Sequence, residues 1–148
     1  MDLILWRHAD AEDNIPDEAR RLTNKGRTQA ERMAAWLAKR LPEDYVVLAS
    51  PARRAQETAR ALTRNVEVCA EVGTLATPFE ILKAAGWPHS DRAVVVVGHQ
   101  PVLGQAAALA LTGSVADWNV KKGAVWWLAH RDREGKSALR VVIGPDFV

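Results

Sequence analysis

The sequence has little of several features that would point to common classes of protein. It holds one cysteine, Cys69, in 148 residues, which rules out an internal disulfide and a cysteine zinc cluster and fits a reducing compartment. No window approaches the roughly 18 consecutive apolar residues of a membrane span. The net charge of +2 is too small to indicate a nucleic-acid-binding surface. No glycine-rich Walker loop is present, which argues against an NTPase.

The first apolar run also lacks the features of an export signal. It covers only residues 3–6 before Arg7, with no basic leader ahead of it. We therefore expect a cytoplasmic protein without a membrane partner. Because the chain has no repeat, linker or low-complexity segment and is 48% hydrophobic, we predict one domain spanning residues 1–148. The mixed charge of its surface helices favours a monomer.

Strand-like and helix-like segments alternate along the chain. Short apolar runs predict buried strands at residues 3–6, 46–49, 66–69 and 93–97. Apolar positions three and four apart, with capping residues, predict helices over about 24–41, 51–64, 78–85 and 101–111. Two further strand-like runs, 124–129 and 139–143, predict a hairpin that closes the sheet. The alternation indicates a three-layer α/β fold, with a mostly parallel central sheet and helices on both faces.

Polar residues able to do chemistry follow two of these strands directly. The first strand ends in Arg7 and His8, and the valine-rich strand at 93–97 leads through Gly98 into His99. In open α/β sheets, ligands bind at the carboxyl ends of the strands. If the strands are neighbours, an arginine and two histidines share that edge.

The second strand adds arginines to the same edge. It ends at Ser50, which we interpret as the cap of a helix that starts at Pro51 and carries Arg53 and Arg54 in its first turn. Helix amino termini and the planar guanidinium fork both favour phosphate oxygens. The set predicts a phosphate pocket, although spacing alone does not decide whether Arg53 or Arg54 faces it.

Two histidines among the arginines indicate that this edge does more than bind an anion. A neutral imidazole nitrogen is a good nucleophile toward phosphorus, and a second imidazole, when charged, can donate to a phosphoryl oxygen. Two guanidinium groups and one imidazolium supply the positive charge that phosphoryl transfer requires. We therefore expect neither a metal ion nor another cofactor.

The motifs resemble those of the histidine phosphatase superfamily, which has a phosphoglycerate mutase-like fold. The matching residues are RH after the first strand, LTNKG at the start of the first helix, SPARRAQET after the second strand and GH after the valine strand. The short chain and the string RHADA are most similar to the small bacterial, SixA-type phosphohistidine phosphatases. The resemblance implies that His8 is the catalytic nucleophile, and that Arg7, Arg54 and His99 bind the phosphoryl group with His99 also catalytic. It further implies a phosphohistidine-bearing protein as partner, either a phosphotransfer domain or a phosphocarrier.

The sequence departs from this family in two places. Ala9 replaces the usual glycine, and Leu75 and Ala76 stand where many members carry a catalytic carboxylate. The remaining candidates for a general acid have the character of surface carboxylates: Glu71, Glu80, Asp10 and Glu12. Because imidazole is a better leaving group than an alkoxide, the lack of an evident acid favours a phosphohistidine substrate.

Two alternative functions stay open at this level. One is a general phosphomonoesterase that acts on small phosphate esters, and the other is a phosphate-binding module without turnover. His89 and His130 have no partner motif, so we expect them to be structural or exposed. We expect Trp87 and Trp118 to pack rather than to form a partner-binding patch. Trp126 and Trp127 point to opposite faces of one strand, so we expect at most one of them to lie in the core.

Overall fold

The apolar runs form the strands of one sheet in a computed structural model that describes residues 1–148. The strands are β1 (Asp2–Arg7), β2 (Tyr45–Ala49), β3 (Val66–Val68), β4 (Ala93–Gly98), β5 (Val125–Arg131) and β6 (Lys136–Ile143). The helices are α1 (Asn24–Ala38), α2 (Arg53–Arg60), α3 (Pro78–Ala85) and α4 (Val102–Thr112). Short 3₁₀ helices span Asp17–Ala19, Ala70–Val72 and Pro145–Phe147. None of these helices has the length and apolarity needed to cross a membrane.

The sheet has the order β3-β2-β4-β1-β5-β6. The first four strands in this order are parallel to one another, while β5 runs antiparallel to β1 and β6 antiparallel to β5. This confirms a mostly parallel sheet closed by a hairpin. The carboxyl ends of β2, β4 and β1 therefore lie side by side.

The helices cover both faces of the sheet, as predicted. One buried cluster joins Met33 and Leu37 of α1 to Ile4, Trp6 and other residues on one face of the sheet. The other cluster joins α3 and α4 to the opposite face. Burial of these side chains contributes about 1.5–3 kcal/mol for each large apolar residue.

The tryptophans follow the alternation expected of a strand. Trp127 is buried on the α1 side, whereas Trp126 is half-buried on the other face and stacks on Trp118 with ring centroids 5.8 Å apart. Trp87 is also half-buried and packs against the α3–α4 cluster. The prediction that these residues pack in the ordinary way is confirmed.

Helix boundaries differ from the predicted ones where side chains compete for backbone groups. Helix α2 begins at Arg53 rather than Pro51, because the Ser50 hydroxyl accepts a hydrogen bond from Ala52 N at 3.1 Å in a tight turn before the helix. It ends at Arg60 rather than Arg64, and α1 ends at Ala38 rather than at 41. Helix α4 begins one residue after Pro101, which caps it.

The segment 9–22 is more ordered than its lack of periodicity indicated. Ala11 and Leu22 form an isolated antiparallel bridge, and the 3₁₀ helix Asp17–Ala19 lies between them. Leu22 is buried together with Ala9 and Ala30 in a small cluster of its own. This long surface connection, which has no clear period in its sequence, is therefore partly ordered.

Gly26 lets α1 approach the backbone that follows β1. Thr23 caps the helix by accepting a hydrogen bond from Gly26 N at 3.0 Å, and Thr23 N donates to the Asp10 carbonyl at 3.0 Å. A Cβ on Gly26 would overlap that carbonyl oxygen. The close approach of α1 to the residues after His8 thus requires a residue without a side chain.

We expect Gly26→Ala to lower the free energy of unfolding by about 1–3 kcal/mol, because backbone atoms must shift to admit the methyl group. This loss exceeds the roughly 1 kcal/mol that alanine gains over glycine in a helix. Denaturant unfolding measures it, with Gly144→Ala as control, because Gly144 faces open space and has an ordinary backbone conformation. An equal stability of the two variants would contradict this account of the contact.

Candidate active site

The pairing of β1 with β4 brings the two predicted histidines together. Arg7 lies opposite Gly98 in the parallel register, and His8 N donates to the Gly98 carbonyl at 3.0 Å. His8 and His99 therefore leave the sheet side by side, with ring centroids 5.3 Å apart. Both side chains are buried.

Arg54, and not Arg53, lies beside these histidines. The Arg54 side chain is buried, and its Nη2 is 3.5 Å from His99 Nδ1. Arg53 is exposed and reaches only Glu57, at 3.7 Å. The structure therefore places the arginine that the family motif favoured next to the histidine pair.

Arg7 lies on the β5 side of the same edge. It is half-buried, and its Nη1 donates to the Val120 carbonyl at 3.0 Å. The Nε–H groups of Arg7 and Arg54 are both buried without a hydrogen-bond partner. Unsatisfied donors inside a protein cost about 1–3 kcal/mol each, so both guanidinium groups keep donor capacity for an anionic ligand.

One hydrogen bond sets the tautomer of His8. Its Nδ1 lies 2.7 Å from the carbonyl oxygen of Ala9. A carbonyl oxygen can only accept, so Nδ1 carries the proton and Nε2 of the neutral ring is left with a free lone pair. The Ala9 backbone is fixed in turn, because Ala9 N donates to Thr58 Oγ1 at 3.0 Å and Thr58 donates to the Arg54 carbonyl at 2.8 Å.

Ser50 is a hydrogen-bond partner of His99. It is not the cap of α2 as predicted, because Ala52 occupies the N-cap position. His99 Nε2 is 2.7 Å from Ser50 Oγ. Arg54 Nη2 can only donate, so its position near His99 Nδ1 favours a lone pair on Nδ1 and the proton on Nε2. In this tautomer, Nε2–H donates to the Ser50 hydroxyl.

Burial keeps both histidines neutral in the free protein. Burial, followed by the charges of Arg54, Arg7 and Arg20, lowers the pKa of His8 to about 4, although the hydrogen bond to Ala9 acts in the opposite direction. Burial, then the proximity of His8 and of Arg54, lowers the pKa of His99 to about 3. Both imidazoles are therefore neutral near pH 7 in the free protein.

Asp17 is a component of this edge that the sequence interpretation missed. Arg54 Nη1 donates to the Asp17 carbonyl at 2.8 Å, and Arg54 Nη2 donates to its carboxylate at 3.1 Å. Arg20 Nη1 donates to the other carboxylate oxygen at 3.2 Å, and Arg20 Nε donates to the Glu12 carbonyl. Burial raises the pKa of Asp17, but its hydrogen bonds with Arg20 and Arg54 and their charges outweigh this and hold the pKa below the usual value. The one signal in the sequence was the unusual length of the 9–22 segment.

The four carboxylates considered as general acids all have partners elsewhere. Glu71 is exposed and accepts from Cys69 Sγ at 2.9 Å, and Glu80 completes the capping box of α3. Asp10 accepts from Thr23 at 2.8 Å and from Lys122 at 3.1 Å, and Glu12 accepts from Arg21 at 3.0 Å. Hydrogen bonds from Cys69 and Thr23, respectively, lower the pKa values of Glu71 and Asp10.

The other two histidines lie outside the site. His89 is exposed and His130 is half-buried. The Asp132 carboxylate lies 3.3 Å from His89 Nδ1 and 3.4 Å from His130 Nε2. His130 also pairs with Ser137 in the β5–β6 hairpin. This agrees with the structural or exposed roles expected for them.

The buried neutral histidines predict a loss of stability at mildly acidic pH. Below about pH 6.5 the unfolded chain binds protons at His8 and His99, while the folded chain does not until the pH reaches the lowered values. Between pH 7.5 and pH 5 we expect the free energy of unfolding to fall by about 2–4 kcal/mol.

Denaturant unfolding at pH 7.5 and pH 5 measures this fall. His8→Asn and His99→Asn should each reduce this fall, whereas the exposed control His89→Asn should not. An unchanged fall in both site variants would contradict the assignment.

The chain is similar to known proteins over most of its length. Residues 3–75 match the family model of the histidine phosphatase superfamily (branch 1). The phosphohistidine phosphatase SixA of Escherichia coli (strain K12) is 31% identical over 121 residues, which cover 73% of each chain. An uncharacterized protein of Picosynechococcus sp. is 32% identical over 158 aligned positions, covering 90% of this chain and 93% of that protein.

A solved structure shows the same fold over nearly the whole chain. The protein histidine phosphatase SixA, complexed with tungstate, superposes with a TM-score of 0.80 at 23% identity and covers 99% of both chains. The fold predicted from the alternation of strands and helices and from the family motifs is thereby confirmed. The 31% identity with SixA over 73% of each chain, together with the family model that matches residues 3–75, establishes that the chain belongs to the histidine phosphatase superfamily, in its SixA-type branch.

Proposed function

We propose that this protein is a phosphohistidine phosphatase, which removes the phosphoryl group from a histidine of a partner protein through a covalent intermediate at His8. The observation that carries the proposal is the hydrogen bond from His8 Nδ1 to Ala9 O at 2.7 Å. It leaves the lone pair of Nε2 unprotonated in a buried ring beside three groups able to bind phosphate: Arg7, Arg54 and His99.

The proposed reaction has two displacements at phosphorus. In the first, His8 Nε2 forms a bond to phosphorus while the P–N bond of the substrate breaks; the substrate imidazole, which bears a proton on its other nitrogen, leaves as a neutral ring. In the second, water attacks phosphorus, the P–Nε2 bond breaks, and both water protons leave with the phosphate. His8 regains its neutral form with the proton on Nδ1. The Ala9 carbonyl stabilises the positive charge that the ring carries while it is phosphorylated.

The neighbouring cations would hold the transferred group. Arg7 and Arg54 supply guanidinium donors, including the two unsatisfied Nε–H groups, to the phosphoryl oxygens. A phosphoryl dianion next to His99 raises the pKa of that imidazole and so favours a proton on Nδ1, which then donates to a phosphoryl oxygen. These charges stabilise the transition state, and the proposed mechanism includes no metal ion.

Two considerations favour phosphohistidine over a phosphate ester as substrate. The four carboxylates that could protonate an alkoxide leaving group are engaged by other residues, and two of them have lowered pKa values. In addition, transfer from a substrate histidine to His8 exchanges one P–N bond for another of the same kind. The first step therefore has little thermodynamic cost and needs no general acid. The relative of 31% identity is itself a phosphohistidine phosphatase by name.

We expect the native protein to remove acid-labile phosphate from a phosphorylated histidine phosphotransfer domain and to carry transient label on His8. His8→Ala should lower the rate by at least about 10³-fold, because no nucleophile remains. The matched control is His89→Ala, an exposed histidine away from the site, which should keep the native rate. Rapid-quench labelling followed by peptide mapping measures both quantities.

The same assay separates the alternative functions. His8-dependent hydrolysis of a small phosphate ester, with the phosphotransfer domain left phosphorylated, would assign a general phosphomonoesterase. Phosphate that stays on the domain in the presence of stoichiometric protein, with no ester hydrolysis, would assign a binding module. A rate that a chelator abolishes and added metal restores would contradict the metal-independent mechanism.

Asp17 competes with phosphate for Arg54 in the free protein, so its charge should weaken anion binding. The carboxylate is exposed, so water screens the effect. We expect Asp17→Asn to bind inorganic phosphate about two- to five-fold more tightly, since the Asp17 carbonyl that also accepts from Arg54 remains.

Isothermal titration with phosphate measures this change. The matched control is Asp13→Asn, which removes a carboxylate from the same loop. The Asp13 carboxylate lies 3.7 Å from Arg20 and is not paired with Arg54. Weaker phosphate binding by Asp17→Asn would show instead that the carboxylate holds Arg54 in its binding position.

A further inference from the structure

The edge that carries the candidate active site continues past Arg7 into an open groove, which we call the flanking groove. Its volume is about 820 Å³. It lies over the start of α1, the segment before β5 and the segment after β6. The residues that determine its character are Lys25, Lys121, Lys122, Trp126, Val142 and Phe147. Arg7 lines the groove as well, so the groove and the candidate active site share this residue.

The flanking groove has an excess of positive charge that the protein does not neutralise. Lys122 is paired with Asp10 at 3.1 Å. Lys25 and Lys121 are exposed and lie in no ion pair. Apart from Asp10, the only carboxylate of a side chain in the groove is Asp146. A ligand that brings negative charge therefore fits the groove better than a neutral or basic one.

The groove is also lined by apolar side chains that are open to solvent. Phe147 is 84% exposed and Val142 is 51% exposed. Trp126, which is half-buried, also lines the groove. Large exposed apolar side chains next to a charged region are typical of protein-binding surfaces.

We propose that the flanking groove binds the chain segment next to the phosphorylated histidine of the partner, and that it selects segments with acidic and apolar residues. The inference rests on the proposed function. Acidic residues of the segment would pair with Lys25 and Lys121, which have no ion-pair partner in the protein. Apolar residues of the segment would pack against the exposed side chains of Phe147 and Val142. Because Arg7 belongs to both regions, a segment bound in the groove leads its phosphohistidine to His8.

Two synthetic phosphohistidine peptides test the proposal, together with free phosphohistidine. One peptide carries Asp, Glu, Leu and Phe beside the phosphohistidine, and in the other lysines replace the acids. We expect the native protein to prefer the acidic peptide in kcat/KM by about ten-fold. The variant Lys25→Glu/Lys121→Glu should raise KM for that peptide by about ten-fold, with kcat and the hydrolysis of free phosphohistidine within about two-fold of native.

The chain offers a matched control for the charge reversal. Lys39 follows the other end of α1, and Lys136 lies at the other end of the β5–β6 hairpin; both are exposed and unpaired. Lys39→Glu/Lys136→Glu therefore changes the net charge equally but leaves the groove intact, and should keep native kinetics. Phe147→Ser, which leaves the charges in place, should raise KM for the acidic peptide and not for free phosphohistidine.

Binding of the unphosphorylated acidic peptide, followed by fluorescence anisotropy, separates the groove from the catalytic assignment. If the native protein hydrolyses free phosphohistidine but binds both peptides alike, and both double variants behave alike, the groove proposal is overturned. If hydrolysis is absent while Lys25→Glu/Lys121→Glu loses acidic-peptide binding, the groove stands and the proposed phosphatase activity falls.

Discussion

The parallel pairing of β1 with β4 is the constraint on which the rest of the site depends. Both strands are buried on their two faces, with valines 94–97 of β4 opposite residues 3–6 of β1. Burying a polar side chain in such a layer without a hydrogen-bond partner is costly. The two imidazoles, His8 and His99, accordingly lie just after the ends of β1 and β4. Because Arg7 is in register with Gly98, His8 and His99 leave the layer at the same level. Their proximity is thus a consequence of strand register and not of loop conformation.

Placing these groups inside the protein has an electrostatic cost, and the structure offsets only part of it. The histidines avoid the cost of a buried charge by remaining neutral, as their lowered pKa values show. The buried guanidinium of Arg54 is compensated by Asp17, which approaches it from the 9–22 segment. Its Nε–H and that of Arg7 stay unsatisfied. A bound phosphoryl group would supply the missing acceptors, so the free site is preorganised for an anion.

The sequence was sufficient for the features that depend on periodicity, and insufficient for those that depend on single side-chain contacts. Buried strands and the residues that end them can be read from apolar runs, which is why the placement of His8 and His99 was predictable. The choice of Arg54 over Arg53 needed the family motif, since one helical step of about 100° separates a buried position from an exposed one. Asp17 could not be found, because its contact with Arg54 spans 37 residues and no periodic pattern encodes it. Ser50 was recognised as important but given the wrong partner, because a serine before a proline is also typical of a helix start.

Two large apolar side chains, in the connections that follow β1 and β3, are exposed. Leu75, which follows β3, is 94% exposed, and Ile15, two residues before Asp17, is 90% exposed. Neither side chain packs against another part of the chain to form a lid, so both remain available for contact with a partner. An enzyme for a small metabolite gains by enclosing its substrate and excluding water, whereas a protein-bound phosphohistidine must reach His8 while its own domain stays outside. On the proposed function, a nucleophile whose tautomer is fixed is sufficient without a general acid, since the leaving imidazole needs no proton from the enzyme.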